Sequence, residues 1–218
     1  MHIADSRDRV VAYRYFQPFV QRFRSCKAVL DIASGQGYFL EMLREAGIRG
    51  TGIELDAALC TQARERGLHV VNADLFTFLK QVKVGEYDGC FASHIVEHFF
   101  PAQVEEMFGL LAQVMPPGAL FIVVTPNIAN IRRAVGDFWR DPTHVRPYPI
   151  SALGKLLRRN HWEVMESGEC SPRPPSLRRT LAYAIRNLLF GRYWVGDDLY
   201  VVARRSSASS PPGGEAGG

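Results

Sequence analysis

Long apolar runs are missing from this sequence. No stretch reaches the roughly 20 consecutive apolar residues that a membrane-spanning helix needs. Cysteine is scarce and scattered. Cys26, Cys60, Cys90 and Cys170 form no CxxC pair, which excludes a zinc knuckle and a redox motif and leaves free thiols as the simplest reading. Met1-His2-Ile3-Ala4-Asp5 lacks the basic and apolar regions of a signal peptide, so the expected compartment is the cytoplasm. No internal repeat is visible. Neither sign of charge dominates: 26 Lys and Arg against 22 Asp and Glu leave a net charge of +4. Such mild basicity favours anionic ligands or surfaces without requiring nucleic acid. No nucleic-acid module is recognisable, so no nucleic-acid partner is expected.

What is present is an alternation. The length of 218 residues suits one domain with a full core. Short apolar runs at 28–32, 51–55, 69–72, 87–93 and 119–125 read as strands. Helical patterns at 38–46, 56–66 and 103–115 lie between them, with Gly35, Gly47, Gly67 and Pro117-Gly118 at the turns. This pace predicts an α/β fold, a mostly parallel sheet with helices on both faces. Beyond 125 the pattern loosens. Residues 141–149 carry three prolines and read as a loop. Ser151 is placed to cap a short helix ending near Asn160. Strands are expected at 162–166 and 199–203, with an amphipathic helix at 176–190 between them. The chain divides into a helical segment (1–27), the main domain (28–205) and a Ser/Pro/Gly-rich tail (206–218) expected to be disordered.

Asp31-Ile32-Ala33-Ser34-Gly35-Gln36-Gly37 follows the first strand and opens the first helix. Glycines there let a ligand approach the backbone and its free N–H groups. Glu54 ends the second strand, where a carboxylate can accept from ribose hydroxyls. Asp74 follows the third, within reach of an adenine amino group. Three acids thus stand at the ends of successive strands, on one edge of the sheet. The rival reading is a nicotinamide-dinucleotide site. Its fingerprint wants a third glycine where Leu40 stands, and Asp31 at the loop's mouth suits a cationic amino group better than a pyrophosphate.

These residues resemble the Rossmann-like class I methyltransferases, which use S-adenosylmethionine (SAM) as methyl donor. The segment 29–37 is similar to their first motif, (D/E)xGxGxG, with Ala33 in place of the first glycine. Gly52-Ile53-Glu54 resembles the ribose-binding motif and Ala73-Asp74-Leu75 the adenine-side motif. Residues 87–99 resemble the fourth-strand motif with its EH pair, and Pro117-Gly118 the turn before the fifth strand. The resemblance implies a seven-stranded sheet, SAM as cofactor, and contacts to it from Asp31, Ala33, Ser34, Gly35, Gly37, Glu54, Leu55, Asp74, Leu75 and Ser93. Further along, Thr125-Pro126-Asn127 and Phe138-Trp139-Arg140-Asp141-Pro142-Thr143-His144-Val145-Arg146-Pro147 resemble methyltransferase domains of bacterial polysaccharide and O-antigen assembly. That implies O-methylation of a saccharide or sugar phosphate, a lipid-linked one included. A small-metabolite acceptor, or a SAM-binding regulator without catalysis, is the alternative.

A hydroxyl acceptor must lose a proton, and histidine suits that step. His144 and His94 are the candidate bases, with Asp141 to orient the imidazole of His144. Arg146, beside His144, is the candidate clamp for an acidic acceptor. His98 reads as structural. His94-Ile95-Val96-Glu97-His98 also matches the HxxEH pattern of inverted zinc peptidases, but it starts where a buried strand stops, so no metal is expected. Arg173, Arg178, Arg179, Arg186 and Arg192 form a basic stretch with no acid between Cys170 and Gly196. The simplest reading is a helix packed on the domain with its basic face in water. The alternative for 173–192 is a lid or a peripheral contact with anionic lipid, hence membrane association.

Overall fold

The computed structural model describes residues 3–131, 133–171, 177–191 and 195–207. The tail expected to be disordered lies outside the described residues from 208 onward, as do Arg173 and Arg192. β1 (Ala28–Ile32) is buried at every position, as a central strand must be when helices cover both faces. β2 (Arg49–Glu54) and β3 (Val70–Asn72) run parallel to it on one side, and β4 (Gly89–Ser93) and β5 (Leu120–Pro126) on the other. β7 (Asp198–Arg205) then enters antiparallel between β5 and the edge strand β6 (Trp162–Cys170). The order is β3-β2-β1-β4-β5-β7-β6, seven strands in one sheet.

β6 runs past the expected end at 166. Its second half, Glu166–Cys170 in sequence, is polar, so it carries no apolar alternation. It is held instead by pairing with β7 from Trp162↔Arg205 to Cys170↔Asp198, with a bulge between Val164 and Glu166. An edge strand facing water needs no apolar outer face.

Two clusters sandwich the sheet. On one face lie α1 (Ile3–Arg22), α2 (Tyr38–Glu45) and α3 (Ala57–Glu65), contributing Phe19, Phe23, Leu43 and Cys60 to a core with Phe91 and Ile122. On the other lie α4 (Leu75–Leu79), α5 (Pro101–Val114) and α6 (Ile150–Arg159), with Leu79, Phe108, Leu157 and Trp162. Phe39 of α2 stacks on Phe91 of β4 at 4.1 Å between centroids, and Phe16 and Phe19 of α1, with Phe23 just after it, pack edge-on or tilted against this pair. Glu41 of α2, nearly buried, ties the three helices together through Arg9 at 3.0 Å and Arg66 at 3.5 Å.

Two local expectations need correction. Ser151 does not cap α6: Pro149 occupies the N-cap in extended conformation, and the helix has already begun at Ile150. The helix α7 (Leu177–Phe190) is where expected, but it is not packed by its apolar side. Leu177 and Leu188 are 86% and 85% exposed, and Leu181, Ile185 and Leu189 face water with them. Amphipathic periodicity predicted the helix and not its partner.

Candidate active site

The turn after β1 carries the site. Ala33, Gly35 and Gly37 all have positive φ (55°, 52° and 76°), so the chain turns back sharply before α2. Gly52 makes room for this turn: a Cβ there would stand 2.5 Å from Ser34 Oγ and 2.8 Å from Leu40. The turn is latched to β2, because the Gly35 N–H donates to Glu54 Oε2 at 2.8 Å. Gly35 itself faces open space.

Beside the turn opens a cavity of about 300 Å³. Asp31, Ala33, Ser34, Gly35, Ser93 and His94 line it, as do Phe16, Gln36, Tyr38, Phe39 and Phe91. A larger cavity, of about 630 Å³, lies between α1 and α2, away from the strand ends. The smaller one has the chemistry. Asp31 is only 3% exposed, and burial, then the charge of Glu54, push its carboxyl well above the usual range. The Ser34 and Ser93 hydroxyls are buried without a hydrogen-bond partner among the described residues. A buried acid short of a cation and two orphaned hydroxyls beside an open glycine fit the amino-acid end of SAM. Its ammonium would neutralise Asp31, and its polar atoms would satisfy the serines.

The residues expected to meet the adenosine stand at the neighbouring strand ends. Glu54 Oε1 accepts from the Asp56 N–H at 3.0 Å. Asn72 Nδ2 donates to the Glu54 and Leu55 carbonyls and joins the tips of β2 and β3. Leu55 is 74% exposed next to Glu54, an apolar surface left open. Asp74 follows β3 as expected, and its Oδ1 caps α4 by accepting from the Thr77 N–H and hydroxyl, which holds its carboxyl below the ordinary range. Leu75 is buried in the core, and Gly37 packs against Leu68. Both support the site from behind.

His94 follows β4 with φ 54°. Its Nδ1 lies 3.2 Å from Glu97 Oε1, and its Nε2 lies 3.2 Å from the Tyr15 hydroxyl and 3.6 Å from Asp198 Oδ2. Burial works against its charge, but the hydrogen bonds and charges of Asp198 and Glu97 prevail and raise it to about 10. Neither nitrogen has a free lone pair to offer an acceptor. Both acids are buried. Glu97 also accepts from Thr125 Oγ1 at 2.9 Å, and Asp198 from Tyr15 Oη at 3.0 Å, with Arg133 3.5 Å away.

The Pro-rich loop joins the same region. The Val145 and Arg146 N–H groups donate to the Glu97 carbonyl at 2.8 and 3.2 Å. The loop is thereby pinned to the short 3-10 turn Val96–His98. His144 donates from Nδ1 to the Phe138 carbonyl at 2.6 Å, and its Nε2 stands 3.9 Å from Asp141 Oδ2. The ring centroids of His98 and His144 are 4.8 Å apart. Arg146 is exposed, its guanidinium over the Tyr148 ring at 5.7 Å. The HxxEH residues share no helix face: His94 turns to Asp198 and His98 to the loop.

Sequence reading missed Tyr15, Phe16, Glu97 and Asp198 as site residues. Glu97 was visible as half of an EH pair. Tyr15 and Asp198 come from the two far ends of the fold, and no local pattern announces their meeting.

Comparison with known proteins agrees with this geometry. A family model described as a methyltransferase domain matches residues 5–167. Malonyl-[acyl-carrier protein] O-methyltransferase from Serratia marcescens is 29% identical over 116 residues, 51% of this chain and 43% of that protein. The aligned segment thus spans less than half of this relative. Among solved structures, a SAM-dependent methyltransferase from Archaeoglobus fulgidus superposes with a TM-score of 0.74 at 24% identity, covering 90% of this chain and 94% of that one. A chain in the complex of the Haloferax volcanii Trm112 methyltransferase activator with a putative methyltransferase gives 0.72 at 16% identity, over 93% and 95%.

Proposed function

The chain belongs to the methyltransferase-domain family, whose methyl donor is SAM, and on that premise we propose that it methylates a hydroxyl oxygen of a saccharide or sugar phosphate. The observation that carries this reading is the loop 141–149 pinned to the carbonyl of Glu97, whose side chain bonds His94 of the cavity wall, with His144 Nδ1 taken by the Phe138 carbonyl. SAM, when bound, supplies an activated methyl group on a sulfonium. The protein's part is to hold and align. Asp31 binds the cationic amino group, Ser34 and Ser93 the polar atoms beside it, and Glu54 the ribose hydroxyls. Phe16, Phe39 and Phe91 keep water from the cavity. His94, engaged on both nitrogens, positions the end of β4. His144 Nε2 takes the acceptor's proton, and Asp141 stabilises the imidazolium formed. Arg146 meets an anionic group on the acceptor.

Support for a glycan acceptor comes from the similarity of residues 125–127 and 138–147 to polysaccharide methyltransferase domains. A carboxylate acceptor is the second reading, favoured by the relative that is named for malonyl-[acyl-carrier protein]. A carboxylate needs no base. Labelled SAM offered with sugars, sugar phosphates and short dicarboxylates separates the two. Label on a sugar hydroxyl supports the first reading; label only on carboxylates, or none at all, overturns it.

The lipid-linked form of the acceptor rests on α7. No described helix is long and apolar enough to cross a membrane. The exposed stripe of Leu177, Leu181, Ile185 and Leu188 recurs every four or three positions, and Arg178, Arg179 and Arg186 accompany it with no acid nearby in sequence. That pairing of exposed apolar area with positive charge suits an anionic lipid surface, on which the helix lies flat.

A further inference from the structure

Glu97, His98 and His144 each offer one ligand atom, and the three atoms lie within 4.8 Å of one another. We propose that they form a binding site for a divalent transition-metal cation at the acceptor side of the SAM cavity. This rests on the reading that the acceptor is a hydroxyl.

The hydrogen bonds around the two histidines fix where their lone pairs are. The Phe138 carbonyl can only accept, so His144 Nδ1 carries a proton. Thr143 Oγ1 donates to Asp141 Oδ1 at 2.6 Å, because a carboxylate only accepts. It must therefore accept from His98 Nδ1, 2.9 Å away. Both neutral rings are thus held as the tautomer with a free Nε2. A histidine whose other nitrogen donates to a carbonyl or to a carboxylate relay is the usual outer shell of a metal ligand. No further arrangement is needed to orient them.

The third ligand is a carboxylate with no exposure to solvent. Glu97 already accepts from Thr125 and faces His94, yet each carboxylate oxygen has a second lone pair. Two bonds of about 2.1 Å span at most about 4.2 Å, so the side chains need close by only roughly half an ångström. Asp141 Oδ2, 3.9 Å from His144 Nε2, stands ready as a fourth ligand. Two imidazoles and one or two carboxylates leave positions open for an acceptor oxygen. They favour zinc, manganese, iron or cobalt over magnesium, which prefers oxygen alone. A cation here lowers the pKa of a hydroxyl that binds it. The proton leaves to water, and the oxygen's electron pair forms the new bond to the methyl carbon as the carbon–sulfur bond breaks, its electrons staying on sulfur. In the metal-loaded protein His144 holds the cation, which takes over the deprotonation that the free imidazole performs in the metal-free protein.

The test uses the full chain, loaded separately with cobalt, zinc and manganese and dialysed, with metal content measured by plasma mass spectrometry and cobalt by its visible absorption. The wild type should retain about one equivalent of at least one of them. His98→Asn and His144→Asn should weaken retention at least tenfold, and Thr143→Val, which removes the hydroxyl that links His98 to Asp141, roughly tenfold. Calorimetry with S-adenosylhomocysteine on the same samples reports separately whether the SAM site is sound. A wild type that retains none of the three metals overturns the proposal. So does retention undiminished in the folded double variant His98→Asn/His144→Asn or, should that variant not fold, in Thr143→Val. Metal bound without label on any hydroxyl would leave the site standing and remove the acceptor reading.

Discussion

Tyr15, in the helix that precedes the sheet, donates its hydroxyl to Asp198 at the start of β7, 3.0 Å away and 183 positions along the chain. The same hydroxyl lies 3.2 Å from His94 Nε2, so one phenol joins α1, β4 and β7 behind the SAM cavity. Tyr15→Phe keeps the ring and leaves the buried Asp198 carboxylate without its donor. Urea denaturation should show a loss of about 1–3 kcal/mol. An unchanged midpoint would mean that Arg133 or water replaces the phenol at no cost.

Asp31 is a carboxyl buried beside a second acid. Its folded carboxyl is raised by burial and by Glu54, so the folded protein holds that proton more tightly than the unfolded chain does. Its contribution to stability therefore falls as pH rises from the ordinary carboxylate value through the raised one, and the penalty persists at neutral pH. Asp31→Asn should raise the melting temperature at pH 7 while weakening S-adenosylhomocysteine binding by roughly 10–100-fold, the worth of a charge-assisted hydrogen bond. A variant less stable than wild type at neutral pH would contradict this account.

Ala33 holds φ 55°, a left-handed conformation that costs a non-glycine residue about 1 kcal/mol or more. The related motif has glycine at this position. Ala33→Gly should relieve that strain and keep SAM affinity within a few-fold. A fall in stability would show that the methyl group packs usefully in the cavity wall.

In the acceptor loop, His144→Ala should lower turnover on a hydroxyl acceptor by roughly 10²–10⁴-fold with SAM affinity kept. Arg146→Ala should act mainly on the KM of an anionic acceptor. If the loop only braces the domain, both variants lose melting temperature and SAM affinity together and show no such split.

Lipid contact through α7 can be tested by flotation. The wild type should float with vesicles rich in anionic lipid and not with neutral ones. Leu181→Glu/Ile185→Glu, both on the exposed stripe, should abolish flotation without lowering the melting temperature. Equal flotation with neutral vesicles would remove the role of the arginines, and a double variant that unfolds would point to protein packing on that face.

The first five strands were legible because each combines a buried apolar run with a turn signal, and parallel strands covered on both faces have no polar alternation to confuse the pattern. The acids at their ends were legible for the same reason: Asp31 and Glu54 follow runs that can only be strands. Asp74 shows the limit. A carboxylate after a strand reads alike whether it awaits a ligand or caps the next helix; here one oxygen, Oδ1, caps α4, a helix too short to show a period. The Tyr15–His94–Asp198 group was illegible because long-range pairing leaves no local trace. The exposed face of α7 was illegible for another reason. Periodicity says that a helix has an apolar side, and nothing in it says what that side meets.

The placement of β7 also bears on how the chain comes off the ribosome. β5, Leu-Phe-Ile-Val-Val-Thr-Pro, is apolar at every position but Thr125 and buried over six of its seven positions in the finished sheet. Its partner on the open side is β7, which is made only after β6 and α7. Until Asp198–Arg205 has been synthesised, the nascent sheet carries a row of unpaired N–H and C=O groups along its most apolar strand, the kind of edge that recruits strands from other chains. A message truncated before β7 therefore yields a sticky fragment, whereas one truncated just after β7 still closes the sheet.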